Sequence, residues 1–319
     1  MKAIVVKHPG GPEVLEYTDV PTPAVKPGWT RIKVKGFGIN HSEIFTRKGD
    51  SPSVKFPRIL GIEAVGEIDA TSAPKQFHTG QKVVSIMGEM GRAFDGGYAQ
   101  YALLPNEQIY PVTTSLSWQD LAAVPETFYT AYGAVRSVQV KKNDRILIRA
   151  ASSGVGIAAA KLIRGHSLDN QIIGTTRSAA KVERLKKNGF NDVIVTPDAD
   201  HVPDSAGAFD KIIDLVGPTT VSDSFKHLRR FGILNVTGDL GGEWTIPNFD
   251  PIMGIPNDRY LTGFASDENP GQLLQELLDF IAAHHIDVSP TRVFSLEDTA
   301  KAHAYLESGE SLGKVVVLP

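Results

Sequence analysis

The chain has 319 residues, 41% of them hydrophobic and 22% charged, with a formal charge of −3. A length about twice that of a usual domain predicts two domains, and the average composition excludes a disordered or low-complexity class. The slight acidic balance offers no basic surface for nucleic acid or an anionic membrane. The absence of cysteine excludes disulfides, thiolate nucleophiles and thiolate zinc sites.

The opening segment, Met1-Lys2-Ala3-Ile4-Val5-Val6-Lys7-His8-Pro9, has an apolar run of four residues, too short for the core of a signal peptide. With no apolar stretch of about 18 residues further on, a cytoplasmic protein is expected. Up to about residue 120, short β-branched runs such as 30–35 and 81–86 are broken by Gly and Pro, which predicts a mostly β, partly barrel-like domain. Helices are predicted over 118–124 and 127–137, then a strand over 144–150. Further strands are expected at 171–176, 192–195, 211–215, 233–237 and 259–264, with helices at 181–188 and 221–228 among them. Six strands alternating with helices form a parallel doubly wound sheet, because parallel neighbours need crossover connections. Toward the end, helices are expected over 272–284, started after Asn269-Pro270, and over 297–306, where Ser295 and Asp298 fit a capping box. The run 314–318 reads as a strand returning to the N-terminal domain.

Directly after the strand at 144–150 comes Ala151-Ser152-Ser153-Gly154-Val155-Gly156 and then the helix former run 157–162. Strand, small-residue turn and helix are the context in which backbone N–H groups approach a pyrophosphate at the positive end of a helix. Gly156 would let helix and strand pack closely. Ala151 and Ser153 stand where that fingerprint prefers glycine, so a ligand-free turn is the competing reading. At the end of the second strand of this unit, where an NAD-preferring site carries Asp or Glu, the sequence reads Thr175-Thr176-Arg177-Ser178 with Lys181 one helical step on. A guanidinium and an ammonium suit a 2′-phosphate, which predicts NADPH.

Several motifs occur in order over nearly the whole chain: Gly38-Ile39-Asn40-His41-Ser42-Glu43-Ile44-Phe45-Thr46-Arg47-Lys48-Gly49, Pro57-Arg58-Ile59-Leu60-Gly61-Ile62-Glu63-Ala64-Val65-Gly66, Gly96-Gly97-Tyr98-Ala99-Gln100-Tyr101, Pro125 with Thr130-Ala131-Tyr132, the turn ending at Gly156, Phe209-Asp210 with Asp214 and Val216-Gly217, and Leu312-Gly313-Lys314-Val315-Val316. As a set they resemble the zinc-independent quinone oxidoreductases of the medium-chain dehydrogenase/reductase superfamily. The resemblance implies an α/β protein with a GroES-like mostly-β catalytic domain from 1–120 and 264–319. A Rossmann doubly wound domain, 121–263, lies between them, and NADPH binds in the cleft. It further implies a homodimer or homotetramer.

The resemblance also assigns residues. Asn40 and Thr130 are expected at the nicotinamide, where they act in catalysis by positioning. Asn40 otherwise reads as a turn residue and Thr130 as a helical threonine bonded to the preceding turn. The wider cofactor set is Asn40, Thr130, Ser153, Gly154, Val155, Gly156, Thr176, Arg177, Ser178, Lys181, Val216, Gly238, Phe264 and Lys314. Zinc-dependent relatives use two Cys and a His; here Gly61-Ile62-Glu63 replaces their Gly-His-Glu, and their first Cys falls near Gly38-Ile39-Asn40, so no metal is expected. Glu63 is expected to orient neighbouring backbone and Arg47 to serve the domain through an ion pair. Phe45 stands where many relatives carry a tyrosine, so no general acid is identified. The expected partner is a small-molecule acceptor, a quinone or an enone reduced at C=C; a non-catalytic NADPH-binding protein is the rival outside enzymes.

Overall fold

The computed structural model describes residues 1–166, 169–198, 200–266 and 270–319. Asn269, read as part of a helix start, lies outside them. The strands up to residue 111 are β1 (Lys2–Val6), β2 (Leu15–Asp19), β3 (Trp29–Ile39), β4 (Arg58–Ile59), β5 (Glu63–Thr71), β6 (Lys82–Ile86), β7 (Tyr101–Pro105) and β8 (Tyr110–Pro111). Helix α1 (His41–Lys48) follows β3, and α2 (Trp118–Leu121) and α3 (Pro125–Ser137) close this stretch. Next come β9 (Arg145–Arg149), α4 (Gly154–His166), β10 (Gln171–Thr176), α5 (Val182–Lys187), β11 (Asp192–Val195), β12 (Phe209–Asp214), α6 (Val221–Lys226), β13 (Leu228–Val236), α7 (Pro251–Gly254) and β14 (Tyr260–Gly263). The chain ends with α8 (Pro270–Ala283), β15 (Arg292–Ser295), α9 (Thr299–Glu307) and β16 (Val315–Leu318).

Two compact units result: residues 1–129, 266–280 and 288–319 form the first, and 130–265 with 281–287 the second. The chain passes from one to the other inside α3. Residues 121–129 stay with the first unit, where the Glu126 N–H donates to Glu63 and the Ser266 hydroxyl to Glu126.

In the first unit one sheet runs β15-β16-β3-β5-β6-β8, with β7 also on β3, and a smaller one runs β2-β1-β4. β16 pairs antiparallel with the end of β3, Val316 opposite Gly38, so the C-terminal strand returns to the N-terminal unit as expected. The inward side chains Ile32, Val34, Phe37 and Ile39 of β3 pack with Ala64 and Ile68 of β5 and Val315 and Val317 of β16 in one core. Arg47 is fully buried and meets Glu307 at 2.7 Å, the ion pair expected of it. Its Nη1 also faces His303 Nδ1 at 3.3 Å, and Tyr98 OH lies 3.0 Å from Nε2. A guanidinium only donates, so Nδ1 accepts and Nε2–H points at Tyr98. Burial, and then Arg47, push His303 down to about 3; it is a neutral core histidine.

The second unit is a six-stranded parallel sheet, β11-β10-β9-β12-β13-β14. The chain winds outward from β9 through β10 to β11, returns to β12 and winds the other way. β9 is buried along Ile146–Ile148, the near-continuous apolar texture of a strand covered on both faces. α4 is buried along Gly156–Ala160, Leu162 and Ile163, its small residues permitting close approach to the sheet. Some boundaries differ from those expected. The helix predicted over 181–188 is a short turn at Ala179–Lys181 followed by α5, and Ser295, bonded to Asp298, caps the turn Leu296–Asp298 that precedes α9. Among the described residues no helix is long and apolar enough to cross a membrane.

Candidate functional site

In an open parallel sheet, ligands bind beyond the carboxyl ends of the strands where the winding direction changes. That place lies between β9 and β12, and the residues expected at the cofactor within the second unit gather on this side of the sheet. Ser153 to Gly156 follow β9. The turn is entered through Ala150 at φ 55°. It is tied to β10 by bonds from the Ala150 N–H to Thr175 Oγ1 (3.1 Å) and from the Ala151 N–H to Thr175 O (2.9 Å). A Cβ on Gly156 would lie 2.8 Å from Ala151 O and 2.9 Å from Ala150 O; a side chain there must push α4 off the turn. Ser153 Oγ accepts from the Gly156 N–H at 3.0 Å. The cradle fits a phosphate: small, backbone-lined and at the start of a helix of 13 residues.

Thr176 ends β10 and is buried, while Arg177 is exposed and Ser178 and Lys181 are half-buried. Lys181 is held below the ordinary lysine range by burial, then by Arg184 and Arg177, so three cations crowd one corner. No carboxylate stands at the end of β10. Val216 and Gly238 follow β12 and β13 and pack back to back: a Cβ on Gly238 would lie 2.6 Å from Leu215 O, and one on Gly217, whose φ is 105°, 2.6 Å from Gly238 O. Phe264 follows β14 and its ring fills the space beside Gly133 of α3. Thr130 is buried on α3 in this same unit.

Asn40 and Lys314 belong to the first unit, and the structure brings them together although 274 positions separate them. Lys314 Nζ donates to Asn40 Oδ1 at 2.7 Å and to Glu63 Oε1 at 2.6 Å. Asn40 Nδ2 donates to Glu63 Oε1 at 2.9 Å and to Glu43 Oε1 at 3.4 Å. Glu43, the third residue of α1, accepts from the backbone N–H of Asn40 and of Ile62, both at 3.1 Å. Glu63 Oε2 accepts from the Glu126 N–H at 2.7 Å, the orienting role expected of Glu63. Glu43 and Glu63 are completely inside the unit. Burial, and then the Glu63 charge, push Glu43 up to about 7, well above an ordinary carboxylate. A Cβ on Gly38 would collide with Lys314 Cε and Glu63 Oε1, so glycine is the residue that leaves room for this ammonium.

Sequence reasoning named Asn40 and Lys314 as separate cofactor residues, without their contact, and did not name Glu43 as an ionisable partner. Its signal was present: a carboxylate three residues after Asn40 at a helix start is the second half of a capping box. Tyr129, the residue before Thr130, is fully buried. Among the described residues no group of three or more His, Asp or Glu is arranged to hold a metal ion.

Residues 26–114 match the family described as "Alcohol dehydrogenase GroES-like domain" and residues 188–317 the family described as "Zinc-binding dehydrogenase". The chain is 27% identical to a quinone oxidoreductase of Pseudomonas aeruginosa over 326 aligned positions, covering 97% of each chain. Among solved structures it resembles the quinone oxidoreductase from Coxiella burnetii, with a TM-score of 0.82 and 26% identity over 100% of this chain and 99% of that one. A mycobacterial protein complexed with NADPH gives a TM-score of 0.82 and 26% identity over 100% of both chains. With a mostly antiparallel β unit, a parallel wound unit and these matches, the chain resembles the medium-chain dehydrogenases/reductases and is an oxidoreductase similar to the quinone oxidoreductases.

Proposed function

We propose that the protein uses NADPH to reduce a quinone or a similarly electron-poor acceptor without zinc, in the cytoplasm. The observation that carries this reading is the end of β10, where Arg177 and Lys181 stand in place of the carboxylate of an NAD-preferring site. The similar mycobacterial structure complexed with NADPH supports it. When bound, the dinucleotide supplies hydride from its nicotinamide ring; the protein binds and orients. Gly154 and Val155 hold the pyrophosphate through backbone N–H groups, while Ser153 and Gly156, whose N–H groups donate to Ala150 O and Ser153 Oγ, shape the turn around it. Thr176, Arg177, Ser178 and Lys181 hold the 2′-phosphate, and Val216, Gly238 and Phe264 border the nucleotide.

Asn40, Thr130 and Lys314 are assigned to the nicotinamide half. Both N–H bonds of the Asn40 amide are directed at Glu63 and Glu43, and its oxygen takes the Lys314 ammonium and the Glu43 N–H of the capping box, so Asn40 serves by holding Lys314 in position. Two of the three N–H bonds of Lys314 are used, which leaves one to donate to an anionic or carbonyl oxygen. With phenylalanine at position 45, the acceptor's proton comes from solvent. NADPH oxidation measured against a panel of quinones and α,β-unsaturated ketones tests the reading: turnover is expected with quinones, faster enone turnover makes the protein a C=C reductase, and none with either overturns the proposal.

The zinc-free reading rests on the ligands. The chain has no cysteine, and the Lys314 ammonium lies between Asn40 and Glu63, beside the segment where zinc-dependent relatives have their first thiolate. A homodimer is proposed because β14 is an open edge strand with Tyr260, Phe231, Ile252 and Met253 exposed around it. Native mass spectrometry is expected to show a dimer or tetramer with no bound zinc. A monomer, or about one zinc per chain, overturns the corresponding half.

A further inference from the structure

The first unit holds a concavity of about 470 Å³ that shares no residue with the proposed cofactor set. That volume lies within the range of small-molecule sites, about 300–1,000 Å³. Its walls are apolar: Val5 and Leu103, together with the rings of Trp29, Phe94 and Tyr101. Trp29 and Phe94 meet edge to face with centroids 5.1 Å apart, which sets two of the walls at a steep angle to one another.

The charged side chains at this concavity are Lys26, Arg58 and Asp95, and the Met1 ammonium beside them is engaged by Val20 O at 2.8 Å. Asp95 Oδ1 is engaged twice, by Arg58 Nη1 and by the Ile59 N–H, both at 3.1 Å. The guanidinium makes that single bond, and its Nε is buried without a partner among the described residues. Lys26 forms no ion pair there; its ammonium lies 3.8 Å from the centroid of the Trp29 ring. Two side-chain cations against one carboxylate leave a surplus positive charge, held over an aromatic wall.

We propose that this concavity binds a planar apolar anion, an aromatic carboxylate of two or three fused rings, with its rings against Trp29, Phe94 and Tyr101 and its carboxylate at Lys26 and Arg58. A neutral aromatic would cover the two cations without pairing them, and a cationic one would add to the surplus charge. A carboxylate offsets it and offers acceptors to a guanidinium that has one bond.

The proposal is independent of the cofactor reading, and calorimetric titration of the full chain with 2-naphthoate tests it. One site is expected, at least about tenfold tighter than for the neutral 2-naphthalenemethanol and unchanged by saturating NADPH. Lys26→Met removes an exposed side chain, so the melting temperature is expected to hold while naphthoate affinity falls about tenfold and the neutral probe is unaffected. Phe94→Ala weakens both probes. No binding at millimolar probe, equal affinity for the charged and neutral probes, displacement by NADPH, or indifference to Lys26→Met would each overturn the assignment.

Discussion

Replacing Arg177 by alanine is expected to raise the dissociation constant for NADPH about tenfold while leaving that for NADH within about twofold. The two dinucleotides differ by one phosphate carrying about two negative charges, so a residue that reads it acts on one ligand alone. A unit charge pair about 4 Å apart at an effective dielectric near 20 interacts by about 4 kcal/mol. Arg177 is exposed, so screening removes most of this; a surviving third, about 1.4 kcal/mol, is a factor of about ten. The crowding at this corner points the same way, since burial and then Arg184 and Arg177 depress Lys181, and a bound dianion relieves the repulsion among the three cations. Fluorescence titration with each cofactor at two salt concentrations gives the answer. Equal losses for both cofactors, a wild-type preference for NADH, or a preference that does not narrow as salt rises would show that these residues do not read the 2′-phosphate.

The second unit was more legible in the sequence than the first site cluster, for a physical reason. β10 and β11 match their predicted limits, 171–176 and 192–195, because each is a compact apolar run closed by a change of texture. β13 begins five residues before the predicted 233, at Leu228. The polar stretch Arg229-Arg230-Phe231 does not read as a buried strand, and Phe231 even has φ 64°, yet Leu228 pairs with Phe209 across an irregular register. The phosphate cradle is local: strand, turn and helix are consecutive, so spacing alone marks them. The bonds joining Asn40, Glu63 and Lys314 span up to 274 positions, and no periodicity encodes such a meeting. Resemblance supplied Asn40 and Lys314 as single positions, whereas the partners of Lys314 and the buried charge balance required the fold. The Arg47 ion pair was anticipated without its partner, because Glu307 lies 260 residues away.

Lys314→Met is expected to destabilise the protein by about 3–5 kcal/mol near neutral pH, the usual cost of removing one member of a buried ion pair. The ammonium is nearly inaccessible, Glu63 wholly so, and their contact is 2.6 Å; methionine keeps the stem's length and removes the charge. The pH dependence gives the test its sign. Burial and then Glu63 raise Glu43 from 4.5 to about 7, while Lys314 is among the groups that pull it down. A carboxyl raised on folding contributes stability that is full below its unfolded value and lost as pH rises through its folded value. For Glu43 that loss falls between about pH 4.5 and pH 7 and amounts to about 3 kcal/mol. Without Lys314 the carboxyl is raised further, so the variant keeps losing stability above pH 7 after the wild type has levelled off. Urea denaturation at pH 6 and pH 9 is therefore expected to show a deficit that widens with pH. Adding Glu63→Gln to Lys314→Met removes the orphaned charge and is expected to recover more than half of the loss. A deficit below about 1 kcal/mol, one that narrows toward pH 9, or no recovery in the double variant would mean that the ammonium does not hold the two carboxylates in place.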